Sequence, residues 1–203
     1  MRATSEEKES LDAVKERTGG RSAKVREAVL QAARQILMEQ GANALTHRNV
    51  AHLAGVNAST VFRRWPDRAR LIADVFKSAA ESMVTLPDSG NLSEDLYEFL
   101  HRISSMLASS EGRKWVLGAI SATSSGDGMV ESAIREVWEQ RFQQAEIMFE
   151  RAALRGEAGY EGQRRAILET LIAPVWFRIL ITQESVDEEY LVANISRVLE
   201  QMF

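Results

Sequence analysis

The sequence predicts an all-α fold of about nine helices, a three-helix head followed by a larger helical body. Three observations predict it. Apolar residues recur at the three-and-four spacing that lines one face of a helix. No stretch of useful length alternates apolar and polar residues as a half-buried strand does. Short clusters of Gly, Pro, Asn, Asp and Ser separate the periodic stretches. The chain has 203 residues, enough for one compact body with a small module attached, and its 45% apolar and 27% charged residues are ordinary globular composition.

Residues 1–21 are polar, mixed in charge and contain Gly19-Gly20, and they are expected to form a flexible arm without a core to bury. A first helix follows, with Val25, Ala28, Val29, Ala32, Ala33, Ile36 and Leu37 on one face and Gly41 as its stop. Thr46 suits the cap of a short second helix carrying Val50, Ala51 and Leu53, which Gly55 ends. Asn57 suits the cap of a third, Ala58 to Trp65, because Pro66 cannot continue a helix. Asp67 caps a fourth with Leu71, Ile72, Val75 and Phe76 inward. The head is thus expected over residues 22–68 and the body over 69–203.

In the body, Pro87-Asp88-Ser89-Gly90 is a break. Leu96, Phe99, Leu100, Ile103 and Leu107 form one stripe, and Trp115, Val116, Ala119 and Ile120 another, before a loop from Ser121 to Gly128. A long helix from Met129 to Arg155 carries Val130, Ile134, Val137, Trp138, Phe142, Ala145 and Phe149, and Gly156 and Gly159 close it. Arg164 to Thr182 is apolar around much of its circumference and needs partners on two sides. The last helix, Asp187 to Met202, opens with a capping-box pattern from Ser185 to Glu188. These last two helices are the expected face of a homodimer, pairing with their copies about a twofold axis, although the same pattern also completes a monomer core.

Charge is divided unevenly along the chain. The net charge is −4, yet residues 21–70 carry nine basic and three acidic side chains, so everything from Leu71 onward is acidic in balance. A basic head on an acidic body points to a polyanion met by the head alone. There are no cysteines, which excludes disulfides and thiolate metal sites and suits a reducing cytoplasm. The N-terminal residues lack an apolar signal region, and no later run reaches membrane-spanning length, so a cytoplasmic protein without membrane contact is expected.

Residues 46–65 read Thr-His-Arg-Asn-Val-Ala-His-Leu-Ala-Gly-Val-Asn-Ala-Ser-Thr-Val-Phe-Arg-Arg-Trp. Two short helices joined by a glycine turn place the second in a major groove about 12 Å wide. Ala51 and Ala54 let the helices cross closely, and Val56, Val61 and Trp65 fill the space between them. Ser59, Thr60, Arg63 and Arg64 are left on the outer face, suited to base edges and phosphates of double-stranded DNA.

This segment resembles the DNA-binding domain of the TetR family of repressors over roughly residues 22–76. A threonine opens the second helix (Thr46), an Ala-Gly-Val turn (Ala54-Gly55-Val56) precedes a polar cap (Asn57), and Thr60-Val61-Phe62-Arg63-Arg64-Trp65-Pro66-Asp67-Arg68 stands in place of the family's Thr-Leu-Tyr-x-x-Phe-Pro-x-Lys. The resemblance implies phosphate contacts by Thr46, Arg48, Thr60 and Arg68 and base readout by Ser59 and Arg63. Phe62 replaces the usual tyrosine, so its contact is limited to van der Waals packing, an absence that Arg64 and Arg68 offset. Beyond residue 76 the likeness lies in helix count and in two local features, Arg155-Gly156-Glu157 and Pro174-Val175-Trp176-Phe177-Arg178.

By the same resemblance, the body dimerises and holds a small-molecule effector pocket whose occupation spoils the spacing of two heads on an inverted-repeat operator. Phe99, Ile103, Met106, Trp115, Trp138, Phe142 and Trp176 are the candidate pocket lining, and each is equally suited to plain core packing. Arg102, Arg141 or Arg178 could face an anionic group, although an exposed arginine is the commoner outcome and Arg178 is equally suited to the dimer interface. An enzyme finds no support: His47, His52 and His101 lack metal-ligand spacing, and no nucleophile elbow or phosphate loop is present. No cofactor, metal or catalytic residue is expected. The acidic run Asp187, Glu188 and Glu189 has a sufficient explanation at a helix N-terminus. A helix-turn-helix protein governed by a protein partner, or acting without any ligand, is the remaining alternative.

Overall fold

The computed structural model describes residues 5–123, 126–157 and 162–200, with the side chains of 5–19, 21 and 80–83 left aside. Among these residues it contains nine α-helices and no strand: α1 (Ser5–Gln40), α2 (His47–Leu53), α3 (Ala58–Arg64), α4 (Arg68–Met83), α5 (Leu92–Ala108), α6 (Ser110–Ala122), α7 (Gly128–Leu154), α8 (Arg164–Trp176) and α9 (Glu188–Glu200). A 3-10 turn, Ala42–Ala44, precedes α2, and a π-helical segment, Phe177–Thr182, extends α8. The chain divides into two compact units, residues 1–75 and 76–203.

In the first unit the expected apolar face of α1 is buried at Val29, Ala32, Ala33, Ile36 and Leu37 and half-buried at Val25 and Ala28; Leu30 of α1 and Val50, Ala51 and Val61 of the two short helices are buried as well. Each short helix has the cap its sequence predicts. Thr46 Oγ1 accepts from the Asn49 amide at 3.1 Å, and Asn57 Oδ1 accepts from the Ser59 amide at 2.9 Å. Gly55, at φ 66, makes the left-handed turn between them at a conformation costly for a residue with a Cβ. Asp67 Oδ1 accepts from the Arg70 amide at 2.7 Å and starts α4.

The structure differs from the sequence reading of this unit at two places. The segment read as a structureless arm is helical from Ser5 onward, continuous with α1 through Gly19-Gly20. It has no periodic apolar face, but Glu, Lys, Ala, Leu and Arg are good helix formers, and extending a helix already nucleated at its packed end costs far less than starting one. The unit also ends inside α4 at Val75 rather than at Arg68. Asp74 explains why, because it accepts from the Trp65 indole at 3.0 Å and lies 3.9 Å from the Arg26 guanidinium.

In the second unit α5 is the central helix, packed against α6, α7, α8 and α9. Its Leu96, Leu100 and Leu107 are fully buried with Met148 and Phe149 of α7, Ile167, Leu168 and Leu171 of α8, and Leu191 of α9. The corner between α5 and α6 is tight. Ser109 ends one helix and caps the next, its Oγ accepting from the Gly112 amide at 3.0 Å, and a Cβ on Gly112 would stand 2.1 Å from the Met106 carbonyl oxygen.

The expected single helix from Arg164 to Thr182 is broken in character. Pro174 lies inside it, has no N–H to give and crowds the preceding turn, and from Phe177 the chain follows π geometry until Gln183 turns left-handed at φ 56. The last helix is capped by Asp187, whose Oδ1 accepts from the Tyr190 amide at 2.9 Å, rather than by the Ser185–Glu188 box. Asn194, fully buried, ties α9 to α8 by donating to the Leu171 carbonyl at 2.9 Å. Gly159 and Met202 lie outside the described residues.

Candidate DNA-binding head and effector cavity

The head is held together by one aromatic residue. Trp65 is 2% exposed; its carbonyl accepts from His47 Nε2 at 2.7 Å and its indole donates to Asp74 at 3.0 Å. It therefore links the start of α2, the end of α3 and α4 through two hydrogen bonds, one buried and one part-buried, and such bonds fix geometry. His47 also stacks face to face on Phe62, with ring centroids 4.1 Å apart and planes within 7°. Phe62 is 51% exposed, so a flat apolar ring stands on the surface against the first turn of α2, next to Thr46 and Arg48. The sequence reading named His47 only as an unsuitable metal ligand and missed this role; its separation of eighteen residues from Trp65 gives no periodic signal.

Of the nine residues expected at DNA, Thr46, Arg48, Asn57, Ser59, Phe62, Arg63 and Arg64 are exposed, and Thr60 and Arg68 are half-buried. Asn57 Oδ1 accepts from both the amide and the hydroxyl of Ser59, each at 2.9 Å. Ser59 therefore presents its oxygen as an acceptor while its proton is engaged. Thr46 Oγ1 is used as an acceptor in the cap, which leaves its hydroxyl proton for a phosphate oxygen. Arg64 lies back on the head: its guanidinium donates to Ser22 Oγ at 3.2 Å and sits 5.6 Å from the Trp65 ring centroid.

The second unit contains a cavity of about 600 Å³ between α5, α6, α7 and α8, and Phe99, Ile103, Met106, Trp115, Trp138, Phe142 and Trp176 all line it. The structure thus brings the seven together on one wall system. Helical spacing is the reason. Phe99, Ile103 and Met106 share a face of α5; Trp138, Arg141, Phe142 and Ala145 share one of α7; and Glu169, Ile172, Ala173 and Trp176 share one of α8. Trp138 and Trp176 meet edge to face with centroids 5.5 Å apart. The π segment contributes Phe177, Leu180 and Ile181, which were not among the residues expected to line it.

Charged groups near the cavity are largely committed. Glu169 accepts from Arg165 Nε at 2.6 Å, and Arg165 also reaches Glu139 at 3.0 Å and lies 3.6 Å over the Phe142 ring. The two carboxylates hold the Arg165 pKa above its ordinary value despite the opposing effect of burial. Arg141 lines the cavity and donates to the Val84 carbonyl at 3.0 Å and to Gln144 at 3.3 Å. The other two candidate arginines stand elsewhere: Arg102 pairs with Glu98 and Thr85, and Arg178 pairs with Glu184 at 2.9 Å over the Tyr190 ring. Among the described residues no group of three His, Asp or Glu side chains is placed to hold a metal, and no helix is long and apolar enough to cross a membrane.

Comparison with known proteins follows the same division. Residues 29–75 match the family model for bacterial regulatory proteins of the tetR family, and residues 86–198 match the tetracyclin repressor-like C-terminal domain. The HTH-type transcriptional regulator AqdR of Rhodococcus erythropolis is 30% identical over 151 residues, covering 74% of this chain and 72% of its own. The TetR family transcription regulator SCO0332 superposes with a TM-score of 0.69 at 26% identity, over 87% of this chain and 97% of its own. The multidrug binding protein EbrR, solved with malachite green, has the same fold at 20% identity, with a TM-score of 0.60 over 85% of this chain and 96% of its own. The chain belongs to the TetR family of helix-turn-helix transcriptional regulators.

Proposed function

We propose that the protein is a cytoplasmic repressor that binds an inverted-repeat operator as a homodimer and leaves it when a small hydrophobic ligand fills the cavity of the second unit. The observation that carries this reading is the cavity itself: about 600 Å³, walled by six aromatic side chains and few polar ones, is the size and chemistry of a small-molecule site. The dye-bound EbrR supports it as a protein of the same fold with a ligand. In the head, Thr46, Arg48, Thr60 and Arg68 hold phosphates, Ser59 and Arg63 read bases, Asn57 fixes the start of α3, and Phe62 packs against the backbone.

The dimer forms through α8 and α9. Phe177 and Ile181 at the end of α8, and Val192 on α9, are exposed apolar residues on these neighbouring elements. A twofold axis there sets two recognition helices at one turn of DNA, about 34 to 36 Å apart. The ligand acts by binding more tightly to a dimer whose heads have lost that spacing. The protein catalyses no reaction in this scheme.

The test is selection from a random duplex library at near-physiological salt, with a Thr60→Ala, Arg63→Ala, Arg64→Ala triple variant as control. Enrichment of an inverted repeat by the wild type alone is the expected result. A single unpaired half-site would remove the dimer from the scheme, and a failure of every cavity-binding compound to release the selected DNA would remove the ligand.

A further inference from the structure

The outer face of α3 carries two side chains of opposite hydrogen-bonding sense. Val61 is fully buried, and at about 100° per residue Ser59 and Arg63, two positions to either side, each lie about 160° away from it around the helix. They therefore share the outer face, one turn apart, and both are exposed. No hydrogen bond or ion pair among the described residues holds the Arg63 guanidinium, whereas Arg64 is drawn back onto Ser22 and the Trp65 ring. A guanidinium has donors only. Ser59 is the reverse. Its backbone amide, which can only donate, lies 2.9 Å from Asn57 Oδ1 and so identifies that atom as the amide oxygen. The Ser59 hydroxyl, also 2.9 Å from Oδ1, must then give its proton to it. What the hydroxyl has left for DNA is its lone pairs.

We infer that Ser59 reads an amino-bearing base, adenine or cytosine in preference to guanine or thymine, about one or two base pairs from a guanine read by Arg63. The inference rests on the proposed role of these two residues in base readout. In the major groove adenine N6 and cytosine N4 are donors, whereas guanine O6 and thymine O4 are acceptors. An oxygen whose proton is committed pairs with the first kind and meets the second lone pair against lone pair. Turning the hydroxyl toward a keto base would break its bond to Asn57. The guanidinium sorts the same groups the other way, matching O6 and N7 of guanine with two N–H groups. Cβ atoms one helical turn apart are separated by about 5–6 Å and successive base pairs by about 3.4 Å, which sets the spacing of the two bases. Asn57 is thereby a positioning residue that fixes the polarity of its neighbour's contact.

Duplex selection with the full chain, followed by competition binding of single-position variants of the selected operator, tests this. The wild type should prefer A or C over G or T about threefold or more at one position of each half-site, and guanine about fivefold or more at a position nearby. Ser59→Ala should erase the first preference and Arg63→Ala the second. Asn57→Gly puts a tolerated helix cap in place of the oxygen that holds the hydroxyl proton. It should narrow the first preference below about twofold by admitting the keto bases, and keep the preference for guanine. Replacing the amino base by its analogue without the exocyclic amine should weaken the wild type about threefold more than it weakens Ser59→Ala, since any loss of base pairing is common to both. A Ser59-dependent preference for G or T, or an amino preference that Asn57→Gly leaves undiminished, would overturn the assigned polarity. An operator on which Ser59→Ala changes no preference would overturn the inference and leave Arg63 as the reader. Selection that enriches no sequence would overturn base readout by the head, and the inference with it.

Discussion

Trp65 in the head and Trp138 in the body are the same residue type in opposite situations. Trp65 is enclosed, with its carbonyl and its indole both committed to hydrogen bonds across the unit. Trp138 borders an open volume and meets Trp176 across its edge. The head spends its aromatic residue on fixing two short helices and α4 at one geometry, whereas the body keeps its aromatic residues around space. A head that reads DNA has to be preorganised, since helices of seven residues do not hold themselves. A body that answers to a ligand needs room and a wall that tolerates change.

Substituting both tryptophans gives the largest separation of the two regions. Trp65→Ala should destabilise the protein by about 3–5 kcal/mol, the cost of a large aromatic removed from a closed core, and should abolish DNA binding while cavity ligands still bind. Trp138→Ala should cost clearly less, because part of its surface already faces empty volume, and should leave DNA binding in the absence of ligand intact. Chemical denaturation monitored separately by DNA affinity and by ligand affinity checks both. Equal losses in the two variants would erase the distinction between them.

Gly112→Ala probes the body where it is rigid. The added methyl would lie 2.1 Å from the Met106 carbonyl oxygen, so backbone has to move, and a loss of about 1–3 kcal/mol is expected. Met106 lines the cavity. Ligand affinity should therefore fall together with the thermal midpoint, while operator affinity at permissive temperature stays near that of the wild type. A body that absorbs the methyl without a change in midpoint would show the α5–α6 corner to be as adaptable as the cavity wall.

Arg63→Ala sharpens the head. Removing a base contact should cost about 1–3 kcal/mol on the selected operator and relax preference at one position of each half-site. Uniform weakening on all DNA would instead make Arg63 a phosphate contact and shift base readout to Ser59 or to Arg64 released from Ser22 and Trp65. Competition binding against single-position operator variants distinguishes the two.

The two regions also differed in how much their sequence disclosed. The head was legible almost residue by residue, because its caps, turn and breaker are local: Thr46, Gly55, Asn57, Pro66 and Asp67 act on neighbours within a few positions. Trp65 was placed correctly in the core by its spacing, but its partners His47 and Asp74 are joined to it by tertiary contacts that no period encodes. In the body the stripes on α5, α6, α7 and α8 identified seven residues that now share a cavity, yet the same stripes suited a solid core equally well. Whether facing side chains close up or leave about 600 Å³ between them depends on helix crossing, which single-helix patterns do not contain. Gly112 and the buried Asn194 carried no signal, since a close approach and a cross-helix hydrogen bond are defined by the partner. The π segment after Pro174 was half legible: proline announces a disturbance without saying which geometry resolves it.

The smallest expected effect lies where the long helix ends. Gly156 turns the chain left-handed, and Glu157 behind it accepts from Arg155 Nε at 2.6 Å with one oxygen and from the Leu92 amide at 2.9 Å with the other. A carboxylate at the close of α7 thereby caps the first turn of α5, where negative charge also meets the helix dipole favourably. The Arg155 guanidinium first, and the Leu92 amide second, hold the Glu157 carboxyl below the usual carboxylate range, while Arg155 is raised by the same pairing and stays charged throughout. Because the folded state favours the ionised form, the stabilisation is complete above the ordinary carboxylate pKa. It is lost as pH falls through the lowered folded value. Glu157→Gln should therefore be less stable than the wild type at neutral pH, and the difference should shrink as urea midpoints are measured down to about pH 3. A difference independent of pH would mean that the glutamate acts at this junction as a neutral cap, and that the body joins α7 to α5 by hydrogen-bond geometry without help from charge.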